Sequence, residues 1–272
     1  MKDFFQFNVL HGRYLCGSIL TDFKNELQNT SVYLTEDLAI FTVTDNHSAN
    51  ASTLNSIKIK NNNQVNFLKI NHYTKWISKV ETLYFHIKNN YDNLPKYILY
   101  LDGLDTLILK DIIDPSEYLE FYDCKILFNI ENQYAGTGYE PLDRNYLSDF
   151  YNSQYQSFLE KNKEKYGNVL PFGLNAGVFL GEKYYILNLL KECLDYMSGD
   201  VKNGFPHGCT DDQYVFRYLH NKHYNIISAD IFNVFSFWGG HMSTDNNSNN
   251  TFAVGYTKRF LNDYLKLKAN RI

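Results

Sequence analysis

The sequence predicts an α/β fold with a mostly parallel central sheet and helices on both of its faces. Apolar, β-rich runs alternate with segments whose apolar residues recur at helical spacing, as in sheets covered on both sides. The run 97–109 is apolar except for two carboxylates, which is typical of a buried parallel strand. Polar residues directly follow several runs, where the carboxyl ends of parallel strands would meet at one edge.

The strands are predicted from short apolar runs that end in polar residues. Residues 37–44, for example, combine β-branched and aromatic side chains and lead into Asp45-Asn46-His47-Ser48. In chain order, the predicted strands are 37–44, 65–70, 97–101, 125–130 and 174–180. They alternate with the predicted helices, which places neighbouring strands parallel.

The helices are predicted from apolar residues spaced three or four apart. Val80, Leu83, Tyr84 and Ile87 show this spacing in the first of them. In chain order, the predicted helices are 76–88, 146–163, 184–197 and 211–221. We expect residues 37–272 to form one compact domain, with residues 1–36 packed on it in an undefined role and 242–251 forming a polar loop.

The composition excludes several classes of protein. Of 272 residues, 44% are hydrophobic and 21% are charged, which is ordinary for a globular protein with a sizeable core. The net charge of −4 argues against a nucleic-acid partner. The four cysteines form no C-x-x-C pair, so we expect neither structural zinc nor a disulfide framework. No segment resembles a signal peptide or a transmembrane helix, and we therefore expect a cytoplasmic protein.

Asp102 and Asp105 are the most informative residues of the chain. Burial of one charged carboxylate costs several kcal/mol, and two close together also repel each other. We therefore expect them where the strand ends, with a cation between them. A hard divalent ion with oxygen ligands suits this pair, and such ions commonly carry the phosphates of a nucleotide. The alternative is a pair of aspartates that cap or turn the backbone.

The motifs around these aspartates resemble those of a known enzyme family. In chain order, they are Lys79, Asp102-Gly-Leu-Asp105, Phe128-Asn-Ile-Glu131, Leu174-Asn-Ala-Gly-Val-Phe-Leu-Gly181 and Asp211-Asp212-Gln213. Over residues 37–236 the chain resembles the glycosyltransferases of the A-type (GT-A) fold, a Rossmann-like fold. The closest likeness is to the glycosyltransferase domain of procollagen lysyl hydroxylases and their viral and bacterial relatives, where D-x-x-D, F-x-A-E, L-N-S-G-G-F-I-G and D-D-Q follow one another.

The resemblance implies a metal-dependent hexosyltransferase. The donor would be UDP-glucose or UDP-galactose, the metal Mn²⁺ or Mg²⁺, and the acceptor a hydroxyl of a glycan, a lipid-linked sugar or a protein side chain. Asp102 and Asp105 would hold the metal. Lys79 and Thr44 would lie on the nucleotide side, although Lys79 is equally well interpreted as a solvated lysine on a helix surface.

The remaining motifs would serve the donor sugar and the acceptor. Asn175 would present its amide to the sugar, and Gly177 would let the backbone approach closely, unless the glycine simply kinks the strand. Asp211 and Asp212 open a helix, so one of them could be a cap. The other would orient a sugar hydroxyl or act as the base for the acceptor. Glu131 would line the acceptor side, or would be an ordinary surface acid.

The chain departs from the family pattern at two places. The family has Tyr within the metal motif, whereas this chain has Leu104. The family's third metal ligand is a histidine near the end of the domain, but Phe252 occupies that position here. His241 is the candidate replacement, with an exposed loop histidine as the alternative. Lys258, in a Gly-Tyr-Thr-Lys stretch that matches the family, is the candidate phosphate clamp.

Two other functions compete with glycosyl transfer. Phosphatases of the haloacid dehalogenase type also place two aspartates after an apolar strand, but they use D-x-D near the N-terminus. A catalytically silent module that binds a sugar or nucleotide would keep the fold, but it would not need the costly pair of aspartates.

Overall fold

The computed structural model describes residues 8–11, 31–45, 52–70, 76–103, 106–131, 173–198, 212–230 and 234–238. The strands are β1 Val9–His11, β2 Ser31–Val32, β3 Leu38–Thr44, β4 Lys58–Ile59, β5 Val65–Lys69, β6 Tyr97–Leu101, β7 Thr106–Ile108, β8 Ile126–Glu131, β9 Gly173–Glu182, β10 Ile227–Ala229 and β11 Ser236–Trp238. The helices are α1 Trp76–Asn89, α2 Pro115–Phe121, α3 Lys183–Met197 and α4 Asp212–Lys222.

The largest sheet has six strands in the order β10-β8-β9-β6-β3-β5. The β3–β5, β3–β6 and β8–β10 pairs are parallel, whereas β9 is antiparallel to both β6 and β8. All strands except β9 therefore run in one direction, which confirms the predicted α/β class with a mostly parallel sheet. Their carboxyl ends meet at one edge, the carboxyl edge, where Thr44, Asp102, Glu131 and Asp230 end or directly follow their strands.

The two faces of this sheet are covered differently. Alternate residues of β6 enter separate cores, with Tyr100 in one and Leu99 in the other. Helices α1, α3 and α4 cover the Tyr100 face, while α2 and the small sheets cover the Leu99 face. The prediction of helices on both faces holds, but most of the helical cover lies on one side. No described helix is both long enough and apolar enough to cross a bilayer.

The sequence did not predict the small sheets, strand β10 of the central sheet or helix α2. One small sheet has the order β11-β1-β7, with β1 parallel to β11 and antiparallel to β7, and the other pairs β2 with β4. Strands of two or three residues are too short to show a periodicity. The predicted helix 146–163 and loop 242–251 lie outside the described residues. Helix α4 begins at Asp212, one residue later than predicted.

Candidate functional site

A buried lysine joins two aspartates at the carboxyl edge. The Nζ atom of Lys79 in α1 lies 3.3 Å from Oδ1 of Asp102, which follows β6, and 2.9 Å from Oδ2 of Asp212, the first residue of α4. The side chains of Lys79 and Asp212 are 9% and 5% exposed, whereas that of Asp102 is 31% exposed. These residues form the lysine–aspartate cluster. With both carboxylates ionised, the cluster has one more negative than positive charge.

The charges within the cluster stabilise one another. Burial lowers the pKa of the Lys79 ammonium, but the carboxylates of Asp102 and Asp212 outweigh this and raise the pKa well above its usual value. Burial also raises the pKa of Asp212, and the charge of Lys79 opposes that rise. Lys79 is therefore a buried lysine whose charged form the two carboxylates favour. The alternative interpretation as a solvated surface lysine is wrong.

Tyr100 supports Asp102 from within the sheet. Residues two apart on a strand share a face, and the Tyr100 hydroxyl donates a hydrogen bond of 2.9 Å to Oδ1 of Asp102. The Tyr100 ring stacks on Phe179 of β9, with centroids 4.9 Å apart and an interplanar angle of 19°. The Lys79 ammonium lies 5.1 Å from the centroid of the Tyr100 ring. Burial, with the charge of Asp102, raises the pKa of Tyr100 well above its usual value.

The pairing of β6 with β9 brings Gly177 next to Asp102, and β9 forms a bulge against β8 at the same place. The register between β8 and β9 shifts between Phe128 and Asn129, so that Asn129 lies opposite Asn175. Within the bulge, Oδ1 of Asn175 accepts a hydrogen bond of 2.8 Å from the Gly177 amide. The Gly177 carbonyl accepts one of 2.7 Å from the Asp102 amide. Bulges re-aim side chains. Gly177 therefore lies beside the predicted metal ligand through its pairing with β6, and Asn175 is held to Gly177 within the bulge.

Helix α4 holds the bulge in place. Oε1 of Gln213 accepts a hydrogen bond of 3.2 Å from the Ala176 amide, and Nε of Arg217 donates one of 2.9 Å to the Leu174 carbonyl. Residues four apart lie on one face of a helix, so both side chains can reach β9. The motif pattern included Gln213 but not Arg217. The only sequence signal for Arg217 is its position one turn after Gln213.

Thr44 lies beneath the turn that carries Asp102. A Cβ atom on Gly103 would lie 2.7 Å from Oγ1 of Thr42 and 2.8 Å from Cγ2 of Thr44. The Ser52 hydroxyl donates a hydrogen bond to the Gly103 carbonyl. Among the described residues, the buried hydroxyls of Thr42 and Thr44 have no hydrogen-bond partner. Glycine is needed at position 103 because the turn packs closely on β3.

Asp230, which follows β10, connects the six-stranded sheet to the β11-β1-β7 sheet. Its fully buried carboxylate accepts hydrogen bonds from the Tyr122 hydroxyl at 2.6 Å and from the amides of Val234, Phe235 and Ser236 at 2.8, 3.0 and 2.6 Å. Burial raises the pKa of Asp230, and these hydrogen bonds oppose the rise. The carboxylate thus holds residues 234–236, where β11 begins, against the end of β10.

Several predicted site residues cannot be placed. Asp105, Asp211, His241 and Lys258 lie outside the described residues, as do Leu104 and Phe252. Glu131 ends β8 at the carboxyl edge, but its side chain is not described. Within the described part of the chain, no three His, Cys, Asp or Glu side chains group closely enough to hold a metal ion. Of the three predicted metal ligands, Asp102, Asp105 and His241, only Asp102 is among the described residues.

Comparison with known proteins does not add a functional assignment. No model of a known protein family matches the chain, and no curated protein matches it significantly. A functional hypothesis therefore rests on the order of the motifs and on the cluster that the fold assembles from them.

Proposed function

We propose that the protein is a metal-dependent glycosyltransferase of the GT-A fold, which transfers glucose or galactose from a UDP-sugar to a hydroxyl group. The observation that supports this most directly is the convergence of Lys79, Asp102 and Asp212 at the carboxyl edge. These residues are far apart in the sequence and belong to three separate motifs. Ligands of open α/β sheets bind beyond this edge, where strand direction and helix packing leave a crevice.

Asp102 fits the role of a metal ligand. Its carboxylate is a hard oxygen donor, is 31% exposed, and belongs to a cluster with one excess negative charge. We propose that Asp102, Asp105 and His241 hold Mn²⁺ or Mg²⁺. When bound, the ion would bridge the donor phosphates and neutralise charge on the departing nucleoside diphosphate.

The other residues would position the donor and the acceptor. Lys79, which contacts both Asp102 and Asp212, is proposed to lie on the nucleotide side together with Thr44 and Lys258. Asn175 and Gly177, which are joined by a hydrogen bond in the bulge, are proposed to face the hexose. The Asp212 carboxylate is engaged by Lys79, so Asp211 is the better candidate for orienting a sugar hydroxyl or for accepting the proton of the attacking hydroxyl.

The decisive experiment is a screen of nucleotide sugars for Mn²⁺-dependent release of the nucleoside diphosphate, which needs no knowledge of the acceptor. We expect UDP-glucose or UDP-galactose to be hydrolysed with Mn²⁺ and not with EDTA. Asp102→Asn should reduce the rate at least a hundredfold. The matched control is Asp123→Asn, an exposed residue with φ of 46°, a backbone conformation that asparagine tolerates well.

Three results would contradict the proposal: no turnover of any nucleotide sugar, turnover that persists in EDTA, or full activity of Asp102→Asn. A thermal shift with UDP and Mn²⁺ distinguishes the proposed enzyme from a catalytically silent binding module. At a hundredfold excess over Kd, a ligand stabilises the protein by about 2.7 kcal/mol. Such stabilisation without turnover on any acceptor would indicate a silent binding module instead.

A further inference from the structure

We infer that Tyr100 is a positioning residue whose hydroxyl fixes the carboxylate of Asp102 in the orientation that a metal ion requires. This inference rests on the proposed function, because it assigns Tyr100 a role towards the metal that Asp102 is proposed to bind. It adds a residue that no motif in the sequence singles out.

The first argument is that two donors act on the same oxygen. The Tyr100 hydroxyl lies 2.9 Å from Oδ1 of Asp102, and the Lys79 ammonium lies 3.3 Å from that same atom. A single hydrogen bond leaves a carboxylate free to rotate about its Cβ–Cγ bond, but a second donor on the same oxygen restricts that rotation. The ammonium is also shared with Asp212, whereas the hydroxyl is directed at Asp102. Tyr100 therefore constrains Asp102 in particular.

The second argument is that the hydroxyl itself is held rigidly. The Tyr100 ring is fully buried, lies against Phe179 in a stacked arrangement, and has the Lys79 ammonium above it. A tyrosine hydroxyl on an immobilised ring can move only by a rotation of its hydrogen. The position of the donor is thus determined by the core of the sheet, which is the kind of support that precise metal ligands need.

The third argument is that packing alone does not require a tyrosine at this position. The core on this face is already rich in phenylalanine, with Phe41, Phe128, Phe179 and Phe216 all buried. A phenylalanine would fill the same space, and a buried hydroxyl needs a hydrogen-bond partner to be tolerated. That partner is Asp102 at the carboxyl edge. The hydroxyl is thus explained by its contact with Asp102.

The experiment compares Tyr100→Phe with Tyr97→Phe. Tyr97 is a buried tyrosine at the opposite end of the same strand, and its hydroxyl accepts a hydrogen bond of 2.8 Å from Lys96. Both variants lose one hydroxyl and one hydrogen bond from β6, but only the first affects Asp102. Mn²⁺ binding is measured by titration calorimetry and by the free-Mn²⁺ electron paramagnetic resonance signal, without a sugar nucleotide. The Mn²⁺ dependence of UDP-sugar hydrolysis is measured separately.

We expect Tyr100→Phe to weaken Mn²⁺ binding about tenfold or more, the range found when a partner of a metal ligand is removed. The concentration of Mn²⁺ that gives half-maximal hydrolysis should rise by the same factor, while the rate at saturating Mn²⁺ should stay close to that of the unmodified protein. Tyr97→Phe should leave both values unchanged. The midpoints of thermal unfolding of the two variants should be similar, because the ring volume is kept in both.

The outcomes separate this inference from the proposed function. If Asp102→Asn abolishes Mn²⁺ binding but Tyr100→Phe binds within twofold of the unmodified protein, Tyr100 is not a positioning residue and the metal site stands. If both tyrosine variants weaken binding equally, the effect is a general loosening of β6, and the inference fails. If the unmodified protein does not bind Mn²⁺, or Asp102→Asn binds it normally, the proposed function fails as well.

Discussion

At the scale of single residues, the most consequential feature is the buried ammonium of Lys79, which lies between the carboxylates of Asp102 and Asp212. The end of the predicted strand placed Asp102 at the carboxyl edge, and the resemblance assigned Lys79 and Asp212 to the same site. The sequence did not reveal that they contact one another, because an ion pair between residues so far apart leaves no local pattern.

Lys79→Met should strongly destabilise the protein. The substitution keeps an apolar stem of similar length but leaves two carboxylates in the cluster without their cation. Removing one partner of a buried ion pair costs about 3–5 kcal/mol. Urea unfolding followed by circular dichroism should show a loss of this size in the free energy of unfolding.

The matched control for Lys79→Met is Lys125→Met. Lys125 pairs with Glu182 at 3.0 Å, but its side chain is 48% exposed, so the loss should be less than about 1 kcal/mol. Equal stability of the two variants would contradict the buried cluster.

At the scale of elements, clear apolar runs and long periodic segments were predicted well, whereas the shortest elements were missed. Strand β6 lies at its predicted bounds because it is a continuous apolar run, and α1 ends one residue later than predicted because its apolar residues recur at helical spacing. Strands β1, β7 and β11 have three residues each and show no such signal. A kink at Gly177 was one of the two interpretations of this strand, but the bulge itself was not predicted, since it depends on hydrogen bonds with the Asn175 side chain and with helix α4.

The contact between α4 and the bulge can be tested with Arg217→Leu. This change removes the donor to the buried Leu174 carbonyl, at a cost of about 1–3 kcal/mol in the free energy of unfolding. We also expect hydrogen exchange at the Ala176 and Gly177 amides to accelerate about tenfold, because the strand loses one of its attachments to α4. Exchange measured by NMR resolves the individual amides.

Lys222→Leu is the control for Arg217→Leu. Lys222 is the last residue of the same helix, and its side chain is 45% exposed. Its replacement should leave exchange at the bulge unchanged. Equally fast exchange in both variants would show that α4 loosens as a whole and that Arg217 has no specific effect.

At the scale of the whole molecule, the sequence predicted neither the order of the strands nor the reversed direction of β9. Alternating strands and helices predict a mostly parallel sheet, but no periodicity marks β9 as the strand that runs the other way. The link between the two larger sheets was equally hidden. Asp230 was not among the predicted site residues, whereas its carboxylate joins the end of β10 to the residues that enter β11.

Asp230→Asn should weaken the β11-β1-β7 sheet more than the six-stranded sheet. The asparagine amide would direct its own N–H groups at the backbone donors of the turn, and hydrogen bonds to a charged acceptor are worth about 1.5–3 kcal/mol each. We expect the free energy of unfolding to fall by at least about 2 kcal/mol. Amides of β1, β7 and β11 should exchange faster, while those of β3 and β6 stay protected. Uniform acceleration of exchange across both sheets, or no acceleration, would contradict a local stabilising role of Asp230.

The reversed direction of β9 determines where the chain can change in length. Glu131, the last residue of β8, lies directly opposite Gly173, the first residue of β9, so the polypeptide departs from the sheet and rejoins it at one paired position. Residues 132–172 can therefore change in length without altering the register of either strand, since each doubling of such a connection costs only about 0.6 kcal/mol in closure entropy. A variant with a longer or shorter connection at this point should therefore keep the pairing of β8 with β9.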